Sequence, residues 1–100
     1  MNVHGTTELK TRPECTEQAI DKLRGVLAES LQREGCEAIH LRRDQDDPTH
    51  IVSFTQWAQR QDYENYLAWR TETGFRGEMN ELLTEPQTFT FYDDIVSLTR

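Results

Sequence analysis

The sequence predicts an α+β fold of the ferredoxin-like kind, with the element order β-α-β-β-α-β and an antiparallel sheet. Three observations support this prediction. Apolar residues recur at helical spacing between residues 14 and 33, and two alternating stretches then flank the polar segment 44–48. The nine aromatic residues all lie between Phe54 and Tyr92, where a hairpin strand, the second helix and the last strand are expected. The length of 100 residues is that of one domain, which we place at residues 1–100.

The first half of the chain supplies a strand, a long helix and one arm of a hairpin. Residues 2–10 alternate loosely, which predicts a strand with one side formed by Val3, Gly5, Thr7 and Leu9. Pro13 and the acidic Glu14 suit the first turn of a helix, and Gly35 is a helix terminator. The helix is expected over 14–33, with an apolar face of Ala19, Ile20, Leu23, Val26, Leu27 and Leu31.

A hairpin is expected next, with strands at 36–43 and 50–57 joined by the turn-forming residues 44–48. In the first strand, alternation places Glu37 on the same face as Ile39 and Leu41. In the second strand, alternation places Ser53, Thr55 and Trp57 on one face and Val52, Phe54 and Gln56 on the other.

The second helix is predicted to be broken, with one part at 62–69 and another at 74–83. The side chains expected to face inward from the first part are Tyr63, Tyr66, Leu67 and Trp69. Pro86 ends the second part, and a final strand is expected from Thr88 to about Ile95.

Composition excludes several classes of protein. The net charge of −7 argues against a nucleic-acid binder, which needs a basic surface. No apolar run is long enough to span a membrane, and we expect no membrane association and no signal peptide. Two cysteines without metal-ligand or redox spacing indicate a reduced compartment, so we expect a cytoplasmic protein with no metal site.

A homodimer is expected because the core of one chain is thin. Hydrophobic residues make up 35% of the sequence, and a chain of this length buries only about 60–65% of its unfolded surface. The helices cover one face of the predicted sheet, so the other face needs a cover. Val52 and Phe54, with residues of the last strand, would form an apolar face that packs against a second copy and closes a barrel.

The predicted fold brings together four side chains that suit ligand binding: Ser53, Trp57, Tyr63 and Arg76. A pocket lined by Trp and Tyr with one Arg fits a flat, partly acidic aromatic ligand. Further substrate-binding candidates on the same elements are Thr55, Tyr66 and Trp69. The alternative interpretation is that Trp57 and Tyr63 are only core residues and that Arg76 is a surface residue.

Three segments carry a resemblance to a known family: GCEAIHLRRDQDDPTHIVSFTQW (35–57), DYENYLAW (62–69) and LLTEPQTFTFYDDI (82–95). They resemble the antibiotic biosynthesis monooxygenase family of dimeric α+β barrels. The resemblance covers about two-thirds of the chain and is consistent with the first strand and helix. It implies the same barrel and a homodimer for this chain.

The nearest functional resemblance is to cofactor-independent monooxygenases of aromatic polyketide pathways, which use O2 to oxidise anthrone- or naphthacenone-like phenols to quinones. In those enzymes an Asn, a Trp, a Tyr and a later Arg line the pocket. Trp57, Tyr63 and Arg76 match three of them, which implies that they are catalytic, and Ser53 stands where the Asn is expected. The resemblance implies a small aromatic substrate, O2 and no cofactor.

Three other functions stay open at this point. An isomerase or cyclase acting on a small carbonyl or polyketide would use the same pocket without oxygen. A haem-degrading protein of this fold needs an axial histidine on the second helix, and no histidine follows His50. A non-catalytic ligand-binding protein would have its pocket filled by side chains.

Overall fold

The computed structural model describes residues 2–100, and the predicted order of elements is confirmed. The strands are β1 (Val3–Lys10), β2 (Cys36–Arg43), β3 (His50–Trp57) and β4 (Thr88–Tyr92). The helices are α1 (Thr16–Leu31), α2 (Arg60–Glu72) and α3 (Phe75–Asn80), and a short 3-10 turn (Pro13–Cys15) precedes α1. The second helix is thus broken, as predicted, at Gly74, whose φ of 81° lies in the left-handed region that glycine tolerates.

The four strands form one antiparallel sheet in the order β2-β3-β1-β4. The helices cover one face, where a hydrophobic core forms between the sheet, α1 and the segment after α3. Its members are Leu9, Cys15, Ala19, Ile20, Leu23, Ile51, Met79, Leu82 and Leu83. The predicted faces of β3 are confirmed, because Ser53, Thr55 and Trp57 are buried while Phe54 is 37% exposed on the opposite side.

Three predicted elements extended too far. The second part of the broken helix, α3, ends at Asn80 and not at residue 83, because Leu83 instead forms an isolated β-bridge with Thr11. The last strand ends at Tyr92 and not near Ile95, because Tyr92 pairs with His4 and β1 begins only one residue earlier. Strand β1 therefore offers too little backbone to extend the pairing. The first helix ends at Leu31, before Gly35, whose φ of 82° turns the chain into β2.

The predicted placement of Glu37 was wrong because β2 contains an irregularity. Cys36 pairs with Trp57 and Ala38 pairs with Gln56, so Glu37 is an extra residue between them. Paired residues point to the same side of a sheet, which puts Cys36, and not Glu37, on the helix-covered face. The Glu37 carboxylate instead accepts a hydrogen bond from Gln56 Nε2 at 3.1 Å on the outer face.

An ion-pair cluster ties the β2–β3 hairpin to β1. His50 Nδ1 lies 3.0 Å from Asp44 Oδ2, and His50 Nε2 lies 2.9 Å from Glu8 Oε1. Both ring nitrogens donate only when the imidazole is protonated. The hydrogen bonds to Asp44 and then to Glu8 therefore raise the pKa of His50 above its usual 6.5, and the hydrogen bond from His50 lowers the pKa of Asp44.

This cluster predicts a pH-dependent contribution to stability. A raised pKa in the folded state means that the contribution of His50 is complete below about pH 6.5 and is lost as the pH rises through the folded-state pKa. We expect the difference in unfolding free energy between wild type and His50→Gln to shrink between about pH 6 and pH 9, as measured by urea denaturation. His40→Gln, on the exposed side of β2, is the control. A difference that stays constant with pH contradicts the assignment.

Within residues 2–100, no helix combines the length and the apolar character that crossing a membrane requires.

Candidate active site

A small cavity lies between the helix-covered face of the sheet and the three helices. Its free volume is about 50 Å³. The strands contribute polar groups and an indole to its wall, namely Thr7, Ser53, Thr55 and Trp57. The helices contribute Tyr63, Tyr66, Arg70 and Arg76. Of the predicted site residues, the structure therefore brings Ser53, Thr55, Trp57, Tyr63, Tyr66 and Arg76 together.

Trp57 forms the central wall of the cavity. Its side chain has no exposed surface, and its ring stacks on Tyr63 with a centroid distance of 5.2 Å and an interplanar angle of 11°. Tyr66 packs on it as well, at 5.2 Å. These contacts fix the indole as a rigid surface, as expected for aromatic rings that pack in offset or stacked arrangements.

Tyr63 fills a space that a glycine leaves on the neighbouring strand. A Cβ atom at Gly5 would overlap Tyr63 Cε2 and lie 2.8 Å from both Cδ2 and Cζ, so only glycine admits the ring here. The Tyr63 hydroxyl lies 3.3 Å from Thr7 Oγ1. Burial raises the pKa of Tyr63 above its usual value of 10.0, so the phenol stays protonated and can donate a hydrogen bond.

Two hydroxyl groups from β3 complete the sheet side of the wall. Thr55 Oγ1 donates a hydrogen bond to the Gly5 carbonyl at 3.3 Å, so its proton is already used within the protein. Ser53 is buried and lies opposite Thr7 in the β1–β3 pairing. The Ser53 side chain lines the cavity from this position.

Arg76 reaches the cavity from α3. Its Nη1 donates to Thr71 Oγ1 at 2.9 Å, and its guanidinium lies 4.6 Å from the centroid of the Phe89 ring. Its Nε–H is buried and has no hydrogen-bond partner among residues 2–100. The interpretation of Arg76 as a simple surface residue does not account for this arrangement.

Two buried polar atoms without a hydrogen-bond partner in the described part of the chain belong to residues of the cavity wall. Among residues 2–100, the buried side-chain nitrogen and oxygen atoms without a hydrogen-bond partner are Trp57 Nε1 and Arg76 Nε. Each buried donor left unpaired costs about 1–3 kcal/mol. Both donors belong to residues of the cavity wall, and a ligand oxygen that reached either one would complete its hydrogen bonding.

Tyr66 and Trp69, the two remaining candidates, have different environments. The Tyr66 ring lines the cavity, but its hydroxyl lies 2.7 Å from Ser30 Oγ and accepts from Arg70 Nε at 3.1 Å. Its polar end is thus used within the protein. Trp69 lies outside the residues that the structure places around the cavity, and it packs on Arg33 and Arg70 at 4.1 and 4.4 Å.

Arg70 is the wall residue that the sequence interpretation missed. It is only 5% exposed, and Tyr63 is the other buried residue of α2. Tyr63, Tyr66, Leu67 and Arg70 follow the spacing i, i+3, i+4, i+7, so the helical period could have placed Arg70 on the inward face. Arginine is rarely buried, so this spacing alone does not predict that Arg70 lies inside the fold.

The charge of the cavity wall differs from that of the whole chain. The chain carries a net charge of −7. Among residues 2–100, in contrast, the cavity wall contains two arginines and no Asp, Glu, His or Cys. No group of three or more His, Cys, Asp or Glu side chains within residues 2–100 is arranged to hold a metal ion. The wall thus favours an anionic ligand and offers donors and cations rather than a proton-accepting base.

A family profile described as antibiotic biosynthesis monooxygenase matches residues 3–77. The chain belongs to this family. The matched range runs from the start of β1 into α3 and ends one residue after Arg76. No curated protein sequence matches the chain.

Several solved structures share the fold of this family member. Rv0793 from Mycobacterium tuberculosis has a TM-score of 0.86 at 18% identity, with 99% of this chain and 100% of that chain covered. The ActVA-Orf6 monooxygenase of Streptomyces coelicolor, in complex with the ligand nanaomycin D, has a TM-score of 0.83 at 16% identity, with 99% and 92% covered. A conserved protein from Methanosarcina mazei has a TM-score of 0.84 at 13% identity, with 92% and 91% covered. At these identities the likeness shows the fold.

Proposed function

We propose that this protein is a cofactor-independent monooxygenase that uses O2 to oxidise an anthrone-like or phenolic polyketide intermediate to a quinone. The observation that carries the proposal is the pair of unpaired buried donors, Trp57 Nε1 and Arg76 Nε, on the wall of an aromatic cavity. Donors placed where negative charge develops stabilise a transition state without reorganisation. Membership of the antibiotic biosynthesis monooxygenase family supports the same reaction class.

The proposed reaction starts with loss of a proton from the acidic C–H of the substrate. The resulting delocalised anion transfers one electron to O2, and the two radicals combine into a carbon-bound peroxide. The peroxide takes up a proton and loses water, which leaves the new carbonyl of the quinone. Substrate and O2 are thus converted to quinone and water, with one oxygen atom in each product.

The wall residues have separate roles in this scheme. Trp57 supports the flat ring and donates from Nε1 to the peroxide or to a substrate oxygen. Tyr63, whose phenol stays protonated, donates to a second substrate oxygen. Arg76 offsets negative charge on the anion, and Ser53 and Thr55 contact the substrate from the sheet side. Because the wall of described residues contains no carboxylate or imidazole, the proton leaves to solvent.

A planar substrate needs more room than the cavity of about 50 Å³ offers, since on the same measure a single water already needs about 10–15 Å³. The wall residues that are only half-buried are those that can turn outward to admit it. Those on the helix side and in or next to β4 include Leu67, Phe75, Gln87 and Phe89. We propose that the substrate enters between these side chains.

Oxidation of dithranol, an anthrone, tests the proposal. With purified protein in air, we expect quinone absorbance to appear faster than in protein-free buffer and in proportion to protein concentration. Under argon we expect no turnover. A rate equal to the protein-free rate contradicts the monooxygenase, whereas turnover under argon would support the isomerase or cyclase instead.

A specific observation favours one alternative, the non-catalytic ligand-binding protein. Its pocket would be filled by side chains, and the free volume here is small. Tight binding of an anthraquinone without any turnover of dithranol would support it. The haem-degrading alternative has no such support, because the residues that line the cavity in the described part of the chain include no histidine. A Soret shift on mixing the protein with haemin would be evidence for it.

We also propose that the protein is a homodimer. On the outer face of the sheet, Phe54 is 37% exposed and Tyr92 is 50% exposed. The chain beyond β4 carries three more exposed apolar side chains, at Ile95, Val96 and Leu98. A second copy on this face would bury them. The cytoplasm stays our expectation for location, in keeping with the free thiols of Cys15 and Cys36.

Sedimentation equilibrium tests the dimer. We expect wild type to have twice the 11.7 kDa mass of one chain. Phe54→Glu is expected to shift the equilibrium toward single chains, because a carboxylate would lose its hydration in the interface. The matched control is Leu31→Glu, since Leu31 is also exposed, at 43%, but lies on α1. Wild type that sediments as single chains at high concentration contradicts the proposal.

A further inference from the structure

Arg70 is a buried cation that is held in one position by hydrogen bonds to neutral groups. Its Nε donates to the Tyr66 hydroxyl at 3.1 Å. Its Nη2 donates to the Val26 carbonyl at 3.1 Å and to Ser30 Oγ at 2.8 Å. These contacts join α2 to α1 and fix the plane of the guanidinium, since arginine presents its donors in a rigid fork.

Aromatic rings enclose the same guanidinium from other directions. Its carbon lies 4.4 Å from the centroid of the Trp69 ring, 5.3 Å from that of Phe75 and 5.4 Å from that of Tyr66. Such contacts stabilise a desolvated cation but leave its charge uncompensated. Arg70 is therefore positioned by the protein without being neutralised by it.

Among residues 2–100, the carboxylate within ion-pair distance of Arg70 is a weak partner. Glu29 Oε1 lies 3.9 Å from Nη1, and the Glu29 side chain is 61% exposed, whereas that of Arg70 is 6% exposed. Solvent screens most of this attraction. A buried charge normally has a close, fully hydrogen-bonded counter-ion, and Glu29 does not provide one. The charge of Arg70 therefore acts on the cavity that it lines.

We propose that Arg70 is the anion-binding residue of the cavity and that it stabilises the deprotonated form of a phenolic or enolic ligand. This inference rests on the proposed function, in which the substrate reacts as its anion, and it adds the residue that makes ionisation favourable. It also explains how the substrate can ionise beside a wall without a base. The cationic wall makes the ligand a stronger acid, and water takes the proton.

The other charged and titratable groups around the cavity do not replace Arg70. They are Glu29 on α1, Tyr63 and Tyr66 on α2, and Arg76 on α3, while the described strands contribute none to the wall. Tyr63 remains neutral, and Tyr66 is bonded to Ser30 and Arg70. The ligand is therefore the group that changes charge near neutral pH, next to two arginines.

Binding of 4-nitrophenol tests this role, because its single ring is small and its phenolate is coloured. We measure its dissociation constant by equilibrium dialysis, and its ionisation when bound by visible absorbance, across the pH range in which it ionises. Wild type is expected to bind the phenolate about tenfold more tightly than the phenol, which lowers the pKa of the bound probe by about one unit. Arg70→Gln is expected to remove most of this preference, with Arg76 accounting for the rest, and a variant that keeps the full preference contradicts the proposal. Arg70→Lys, which keeps the charge but not the fork, is expected to retain part of it.

The matched control is Arg24→Gln, because Arg24 is an exposed arginine that pairs with Asp21 on α1, and we expect it to keep the full preference. The wild-type result alone can overturn the proposal, even if Arg70→Gln does not fold. Equal affinity for phenol and phenolate, tighter binding of the phenol, or no binding of the probe would each do so. The test needs no oxygen. A clear preference for the phenolate in a protein that does not oxidise dithranol would therefore contradict the monooxygenase and leave the role of Arg70 standing.

Discussion

Replacement of Gly5 by alanine is expected to lower the free energy of unfolding by about 3 kcal/mol, the upper end of the usual cost of overpacking. The new methyl group would overlap Tyr63 Cε2 and lie 2.8 Å from two further ring atoms. The ring cannot move away freely, because it stacks on Trp57 at 5.2 Å and contacts the edge of Phe91 at 5.1 Å. Chemical denaturation of wild type and variant measures the effect.

The matched control is Gly25→Ala, the same chemical change on the exposed side of α1. A Cβ atom there has nothing within 4 Å. Because alanine favours a helix more than glycine does, we expect this variant to gain about 0.5–1 kcal/mol. If Gly5→Ala is as stable as wild type, Tyr63 does not pack against β1 as the structure describes. The described geometry of the site would then be wrong as well.

Trp57→Phe is expected to lower kcat for dithranol oxidation by about 100-fold, the loss usual when one donor to a developing anion is removed. Phenylalanine keeps a flat ring on the cavity wall but has no N–H. The loss should therefore fall on kcat more than on KM, because ring contacts bind substrate and transition state alike. Oxygen consumption at a series of dithranol concentrations separates the two constants.

The chain contains a second tryptophan that serves as the control. Trp69→Phe is the same substitution on α2, outside the cavity wall that the structure describes. We expect its kcat to stay within about twofold of wild type, because phenylalanine retains the aromatic contact with Arg70. Equal losses in both variants would contradict the role of the Trp57 N–H and would favour the sequence-based prediction that Trp69 binds substrate.

Local periodicity in the sequence was enough to predict the sheet and its helices. Alternation in β3 correctly assigned Ser53, Thr55 and Trp57 to the covered face. Alternation failed in β2, because Glu37 is one extra residue in the strand and Cys36 therefore lies on the face opposite to the one predicted. No feature of the sequence marks this irregularity. The end of β4 also lay beyond local information, since it depends on where its partner β1 begins.

The candidate site was predicted in part for a related reason. Aromatic residues at helical spacing indicated Tyr63 and Tyr66, and the structure brings both to the cavity with Trp57. The packing that admits Tyr63 depends on Gly5, which lies 58 positions away and carries no side chain to suggest a role. Arg70 escaped prediction because its burial is made possible by Ser30 and Val26 on another helix, a contact that no local pattern contains.

The central claim is that the chain itself accelerates the reaction of an aromatic substrate with O2. The most direct measurement is oxidation of dithranol under ¹⁸O₂ by purified protein in the presence of a metal chelator, with oxygen uptake and quinone mass followed together. We predict a rate proportional to protein concentration, one O2 consumed for each quinone formed, and one ¹⁸O atom in the new carbonyl. Oxygen uptake no faster than in protein-free buffer would contradict the claim.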